Sequence, residues 1–362
     1  MEAKKVFDLV THIFLLFPFA IIWKFTKPFG KEKKNKDSIL LFITVLLFFV
    51  SMLHHILSHL PVLEAIDESV VGLSIVYVFY IYLDEVLNTS KPTKYIWYAV
   101  LFIILVSYLV CVGIDVTNEL YNNGNLYLTV FCTGGFTLIA VCVFIWKGIY
   151  KKHETSKNYF WTSVFFAILA SVMFIINDVA EQFHLHSLWH LFAFISFGYL
   201  VLFAVSPKIE NKEKAKKTIM AMNYVLSLSV RLLLIGYYGY VASLNEIPVG
   251  WSIFAFVWGG VIFVYGLIWA FRNFQNSDNF WLGMRLILHG GIWILVGAFL
   301  NLKYSELVIV FLVLDFIISI IFRREKIMEY WDTLKTPIPS SVELTQKYKP
   351  VAFKKRYPVL QF

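Results

Sequence analysis

The stretch DVAEQFHLHSLWHLFAF, residues 178 to 194, places an aspartate, a glutamate and three histidines at the start of a strongly apolar run. Ionisable side chains inside a bilayer cost on the order of 2.5 to 3.5 kcal/mol each even on lenient insertion scales, so they are rare there and usually functional. The apolar run covers about residues 186–205, which is long enough to cross a hydrocarbon core as a helix. The stretch therefore predicts a membrane helix with a functional polar end.

Apolar character extends through the whole chain. Of its 362 residues, 59% are hydrophobic, 18% aromatic and only 15% charged, which excludes an ordinary soluble domain. Apolar runs of roughly 17 to 25 residues recur throughout and predict an all-α polytopic membrane protein with about eleven transmembrane helices. The predicted spans cover about residues 6–25, 38–58, 68–83, 94–114, 125–149, 158–177, 186–205, 218–242, 250–271, 280–301 and 304–322.

Basic residues alternate between the loops that join these spans. The basic loops hold KPFGKEKKNK, NTSKPTK, KGIYKKHETSK and KIENKEKAKK, and the tail begins with RREK. The intervening loops contain LPVLEAIDE, DVTNELYNNGN, DVAEQFHL and NEIP, which carry acids and no Lys or Arg. By the positive-inside rule the N-terminus lies outside, the C-terminus lies in the cytoplasm and the acidic loops face outward. Because these loops account for the net charge of +8, no nucleic-acid partner is predicted.

The basic linker near residues 207–217 is the main predicted boundary. It separates seven predicted spans from four, so we expect a seven-helix domain at 1–207, a four-helix transmembrane extension at 208–322 and a basic, partly ordered cytoplasmic tail at 323–362. The three cysteines lie inside apolar runs at no metal-ligand spacing, so no disulfide framework is predicted.

Polar side chains of three predicted spans converge at one depth. Ser51 and His55 are four residues apart near the outer end of the second span, and Asp67 opens the third. His186 and His190 are also four residues apart, where the seventh span leaves the outer face. Residues at this spacing share a helix face, as a site assembled from two facing helices requires.

Two histidines on one helix and a third from another form a sufficient ligand set for catalytic zinc, with the fourth position open for water. Amide or ester hydrolysis also needs a carboxylate that moves a proton and a hydroxyl that stabilises an oxyanion, and Asp67 and Ser51 are the candidates. His55 shares a face with Ser51, but His54 and His59 are alternative ligands. The competing interpretation is that these histidines are merely hydrated at the membrane interface.

The motifs SMLHH, IDE and NDVAEQFHLHSLWHLFAF resemble the alkaline ceramidases and the wider seven-helix hydrolase superfamily that includes adiponectin-receptor-like proteins. The resemblance covers about residues 1–207. It implies that His55, His186 and His190 bind zinc, that Ser51 assists the oxyanion and that Asp67 acts as acid and base. The implied activity is hydrolysis of the amide bond of ceramide-like or other acylated lipids, with a membrane lipid as substrate.

The chain departs from that family in three places. It lacks the acidic, Trp-containing calcium motif near the N-terminus, so no structural calcium is predicted. The separation of His55 and Asp67 is about one residue longer than in the family, so Glu64 or Glu68 is an alternative to Asp67. The last four spans have no counterpart, which leaves room for a different substrate. Asp178 is expected to orient a ligand imidazole, and His184 to lie in a loop.

The extension carries ionisable residues of its own. Arg231, Arg285, His289 and Asp315 lie within apolar runs, where their cost demands partners. An ion pair between one of the arginines and Asp315 is the simplest expectation, and a second substrate or ion pathway is the alternative. For the whole chain, the rival to a hydrolase is a non-enzymatic receptor or transporter whose polar cluster binds a ligand or ion.

Overall fold

The computed structural model describes residues 9–26, 35–57, 60–86, 91–120, 154–179, 186–206, 212–242 and 249–322. Nearly all of these residues are helical, and no strand occurs among them. A 3-10 turn, His12–Leu15, precedes the first helix, and a π-helical turn, Tyr82–Val86, follows the third. The helices are α1 (Leu16–Thr26), α2 (Asn35–Ile56), α3 (Pro61–Ile81), α4 (Lys91–Leu120), α5 (Glu154–Val179), α6 (His186–Val205), α7 (Lys212–Ala242), α8 (Val249–Arg272), α9 (Ser277–Asn301) and α10 (Ser305–Ile321).

Within the described residues, eight helical segments are long and apolar enough to cross a membrane. Each coincides with a predicted span, which is consistent with a multi-pass membrane protein. The segments are Leu9–Thr26, Asn35–Ile56, Lys91–Ile114, Asn158–Ile176, His186–Val205, Ala215–Ala242, Gly250–Arg272 and Phe280–Asn301.

The predicted count of eleven spans is not confirmed. α3 has Glu64, Asp67 and Glu68 in its first eight residues, so too little of its length is free of charge. α10 has 17 residues, which at 1.5 Å per residue gives about 25 Å, less than the hydrocarbon thickness of about 30 Å. The predicted span at 125–149 lies outside the described residues.

Large apolar side chains project from the outer surfaces of these helices. Phe42 on α2 is 65% exposed and Phe102 on α4 is 67% exposed. Apolar surface costs about 25 cal/mol per Å² in water, whereas lipid tails solvate it without that cost. The exposed side chains therefore suit a surface that faces hydrocarbon.

The described helices group into two compact units. The first contains α1 to α6 apart from the end of α5, and the second contains that end of α5, α7 from Lys217 onward, α8, α9 and α10. The predicted division at residue 207 into a hydrolase domain and an extension stays a prediction.

In the first unit, α6 is buried along almost its whole length. Gly198 allows α1 to pack closely, because a Cβ at this position would lie 2.2 Å from the ring of Phe17. On another face, Ser163 of α5 donates to the backbone carbonyl of Ser196 at 2.9 Å, and Ser196 donates to that of Ser163 at 2.8 Å. These contacts fix the helix that begins with His186.

In the second unit, α8 and α9 approach each other at glycines. A Cβ at Gly290 of α9 would lie 2.4 Å from the backbone nitrogen of Phe263, and one at Gly259 of α8 would lie 2.7 Å from that of Ile294. Small residues at membrane helix interfaces allow backbones to approach and gain dispersion energy. The pair therefore depends on the absence of side chains at these positions.

Replacing Gly290 by alanine is expected to lower the melting temperature of the protein in detergent. The obstructing atoms belong to the backbone of Phe263 and Gly259, so the helices must separate. Gly291→Ala is the matched control, because a Cβ there meets nothing within 4 Å and alanine favours helix by about 1 kcal/mol over glycine. Equal melting temperatures for the two variants would contradict the close approach.

The predicted pairing of an arginine with Asp315 is confirmed. Arg231 of α7 donates from Nε to Asp315 Oδ2 of α10 at 3.0 Å. His289 of α9 contacts the other carboxylate oxygen, and Arg231 also contacts the Ser227 hydroxyl. Three helices of the second unit are thus joined through one buried acid.

Candidate metal centre

Ser51 and Asp67 are joined where α2 packs against α3. Both residues are buried, and Ser51 donates from Oγ to Asp67 Oδ2 at 3.1 Å. The other carboxylate oxygen, Oδ1, is buried as well and has no hydrogen-bond partner among the described residues. One oxygen of Asp67 is therefore fixed, and the second is available to a ligand.

The start of α3 is positioned by α4. Tyr108 donates from its hydroxyl to the backbone carbonyl of Glu68 at 3.1 Å. Gly72, one turn further along α3, accommodates the same ring, because a Cβ there would lie 2.4 Å from it. This contact fixes the helical turn that presents Asp67 to Ser51.

His12, which the sequence analysis did not select, completes a polar chain with these two residues. Its side chain is fully buried, and its Nε2 lies 2.8 Å from Ser51 Oγ. If Ser51 donates to an ionised Asp67, then His12 must donate from Nε2 to Ser51, and its Nδ1 carries the lone pair. The tautomer of His12 is thus set by the serine.

His12, His55 and His190 form the most compact group of possible metal ligands among the described residues. One ring nitrogen from each lies within 4.8 Å of the others. The ring centroids are 4.9 Å apart for His12 and His55, 4.8 Å for His12 and His190, and 4.6 Å for His55 and His190. His55 Nε2 is buried and has no described hydrogen-bond partner. This nitrogen is therefore available to a ligand.

His186 joins this group through the preceding turn of α6. Its Nε2 lies 3.0 Å from Nε2 of His190, and its ring centroid is 5.3 Å from that of His55. The spacing of four residues thus brings both nitrogens to one point, as the sequence predicted. Two of the three predicted metal ligands, His55 and His190, belong to the compact group, whereas the third, His186, lies outside it and contacts its member His190.

The structure also distinguishes among the alternative acids and the alternative histidine ligands. Among the three acids at the start of α3, Asp67 has the described hydrogen bond with Ser51. His54 lies beside His55, with ring centroids 4.9 Å apart, but it is not part of the compact ligand group. His59 and His184 lie outside the described residues, and the side chain of Asp178 is not described.

A signal for His12 was present in the sequence. It is an ionisable residue within the first apolar run, which is the criterion that selects His190 in the seventh. The topology predicted from the loop charges would place the seventh residue of this run near the outer face, at the predicted depth of the other histidines. No second histidine lies four residues from His12 in the sequence, so the His-x-x-x-His pattern does not reveal it.

The imidazoles fit a zinc ion by number and chemistry. Two nitrogens bound to tetrahedral zinc at about 2.0 to 2.1 Å lie about 3.3 Å apart, and the His186–His190 separation of 3.0 Å is close to this value. The ring nitrogens of His12, His55 and His190 lie within 4.8 Å of one another, so they would approach by at most about 1.5 Å to reach this spacing. Neutral imidazole nitrogens are preferred zinc ligands.

No protein-family model matches the chain, and comparisons with curated proteins and with solved structures give no match. The likeness to alkaline ceramidases therefore remains a resemblance of short motifs. Any functional conclusion has to come from the side chains of the centre itself.

Proposed function

We propose that this chain is a zinc-dependent intramembrane hydrolase that cleaves the amide bond of ceramide-like or other acylated lipids. The supporting observation is the continuous chain from His12 through Ser51 to Asp67, which starts within the imidazole group. Amide hydrolysis needs an activated water, a proton carrier and a donor to the oxyanion, and these side-chain types supply all three functions. The ceramidase-like motifs support the same reaction.

In this proposal His55, His186 and His190 hold the ion, and His12 positions Ser51. His12 already uses Nε2 toward the serine, whereas His186 and His190 direct their Nε2 atoms at each other. Three protein ligands leave the open position that catalytic zinc sites keep. A bound zinc ion there supplies the Lewis acidity that polarises a carbonyl and activates water.

Asp67 carries the proton in this scheme. Its Oδ2 is occupied by the Ser51 hydroxyl, so Oδ1 receives the proton of the attacking water and returns it to the leaving amine nitrogen. The proton count balances, since water supplies the hydroxyl of the fatty acid and the hydrogen of the amine. A carboxylate with one fixed oxygen keeps its orientation through both transfers.

Ser51 donates a hydrogen bond to the developing oxyanion after its hydroxyl rotates. In the described arrangement its proton is directed to Asp67, and His12 holds the serine oxygen from the other side. Once Asp67 takes up a proton, the serine hydrogen is released for the carbonyl oxygen of the substrate. The proton states of Asp67 and Ser51 are thus coupled.

The proposal also assigns a seven-helix hydrolase domain to residues 1–207 and a four-helix extension to residues 208–322. Acyl chains would enter sideways between helices, while water arrives from the outer face. Exposed apolar side chains such as Phe102 suit this lateral route, because lipid tails would contact them in a bilayer.

The direct test measures zinc and turnover in one preparation. The purified full-length protein should contain about one zinc per chain, as expected for a three-histidine site, and release fatty acid from ceramide or another acyl lipid. Chelation should remove both, and added zinc should restore both. Zinc-free protein that releases no fatty acid from any acyl lipid would favour the receptor or transporter.

Labelling of single cysteines tests the proposed topology. A cysteine near Asn123 or Glu181 is expected to react with an impermeant maleimide from outside, because these positions lie in acidic loops. A cysteine near Lys212 should be protected until the membrane is permeabilised. The reverse pattern would place the acidic loops, and with them the metal centre, at the cytoplasmic face.

A further inference from the structure

A cavity in the second unit is lined by two arginines. It lies between α7, α9 and the end of α10, and its volume is about 30 Å³, within about 420 Å³ of empty space that includes the open mouth. Arg231 enters it from α7, and Arg285 and His289 enter from one face of α9. Cationic groups converging within an apolar unit are unusual, because each must be solvated or paired.

The positive charges around this cavity exceed the negative ones. Asp315 accepts a hydrogen bond from Arg231 and contacts His289, so one carboxylate serves both groups. The described contact of Arg285 is with the ring of Phe322, whose centroid is 4.7 Å from the guanidinium carbon. Among the described residues no carboxylate pairs with Arg285. Two guanidinium groups against one carboxylate leave a surplus of one positive charge.

Arg285 does not lie at the very end of its helix. It is eight residues into α9, which corresponds to about 12 Å of helix at 1.5 Å per residue. Its side chain is half-buried, and it lines the cavity together with Ser227 and Ser319. The Ser319 hydroxyl donates to the backbone carbonyl of Asp315, and the Ser227 hydroxyl contacts Arg231. The planar guanidinium of Arg285 by itself matches an oxyanion, which it binds through two parallel hydrogen bonds.

Most of the remaining lining is apolar. Leu228, Leu282, Leu286 and Phe322 line the cavity beside Tyr224. A small hydrated anion gains nothing from such walls, whereas a group attached to an alkyl chain buries apolar surface against them. The lining therefore favours an amphiphile over a free inorganic anion.

We propose that this cavity binds the oxyanion headgroup of a singly charged amphiphile, either a fatty-acid carboxylate or a phosphodiester lipid headgroup. Arg285 holds the oxyanion, and Arg231, fixed by Asp315, supplies the second positive charge. The shared chemistry is one negative charge on two or more oxygens next to an apolar chain. This site lies wholly within the second unit and does not depend on the proposed hydrolysis.

Equilibrium binding of radiolabelled oleate to the full-length protein in nanodiscs of neutral lipid tests the site, with empty nanodiscs as background. Phosphatidylglycerol and inorganic phosphate serve as competitors that distinguish a lipid headgroup from a free anion. Wild-type protein should bind oleate saturably, and oleyl alcohol should bind at least about 10-fold more weakly, as expected when a charged hydrogen bond is lost. Inorganic phosphate should not compete.

Arg285→Gln is expected to weaken oleate binding by about 10-fold or more, whereas the matched variant Arg272→Gln, at the exposed end of α8, should bind as wild type. Arg285→Gln keeps the Arg231–Asp315 pair intact, so its melting temperature should stay near that of the wild type. Unchanged oleate affinity in Arg285→Gln would overturn the proposal. So would equal binding of oleate and oleyl alcohol, effective competition by inorganic phosphate, or no saturable binding by wild-type protein.

Discussion

Replacing His190 by alanine is expected to remove both zinc and hydrolysis. His190 is buried, contacts His186 through Nε2 and lies in ring contact with His55 and His12. It belongs both to the proposed ligand set, His55, His186 and His190, and to the compact group of His12, His55 and His190. Its loss leaves two ligands of either set and opens the tetrahedral site. Zinc stoichiometry of the purified protein and fatty acid release are the two measurements.

His54→Ala is the matched control for this experiment. His54 is an imidazole beside His55 on the same helix, but it is not part of the compact ligand group. The variant should retain zinc and turnover. Full activity of His190→Ala, or zinc retained after both His186 and His190 are replaced, would exclude the hydrolase mechanism.

The same assay decides the role of the fourth imidazole. Because His12 uses Nε2 toward Ser51, His12→Ala should retain zinc and lose turnover, whereas His186→Ala should lose zinc. The opposite result would place the metal on His12, His55 and His190, the group whose nitrogens lie within 4.8 Å. Each outcome assigns a different set of three ligands.

The sequence predicted the membrane helices well where length and composition alone decide them. Spans such as 250–271 carry no acidic or basic side chain, and hydrocarbon requires a helix because no water satisfies the backbone there. α3 shows the limit of this reasoning. Its apolar residues suggested a span, but the acids that precede them belong to the same continuous helix and lower its apolar length.

The candidate site was predicted where its residues follow helical spacing. His186 and His190 lie four residues apart and meet as expected, and Ser51 shares its helix with His55. His12 belongs to a different helix whose approach depends on Gly198 accepting Phe17, a tertiary contact that no local pattern encodes. Likewise, the choice of Arg231 over Arg285 as partner of Asp315 depends on how α7, α9 and α10 pack.

Replacing Asp67 by asparagine is expected to lower turnover by about 100-fold to 10,000-fold while zinc stays bound, because proton transfer is lost and no imidazole is removed. Asparagine keeps the shape of the side chain and can still accept the Ser51 hydrogen bond through its amide oxygen. The fold and the hydroxyl position should therefore survive, which a melting temperature near that of the wild type would verify.

Glu64→Gln and Glu68→Gln are the matched controls, since each removes one carboxylate from the same helical start. If Asp67 carries the proton, both controls keep most of their activity, because Asp67 is the acid that accepts the described hydrogen bond from Ser51. Ser51→Ala should cost about 100-fold to 1,000-fold, the usual effect of losing one oxyanion donor. Since Ser51 also orients Asp67, the double variant Ser51→Ala/Asp67→Asn should lose less than the product of the two single losses. Strict multiplication of the two effects, or a larger loss in Glu68→Gln than in Asp67→Asn, would contradict the coupled pair and move the proton transfer to another carboxylate.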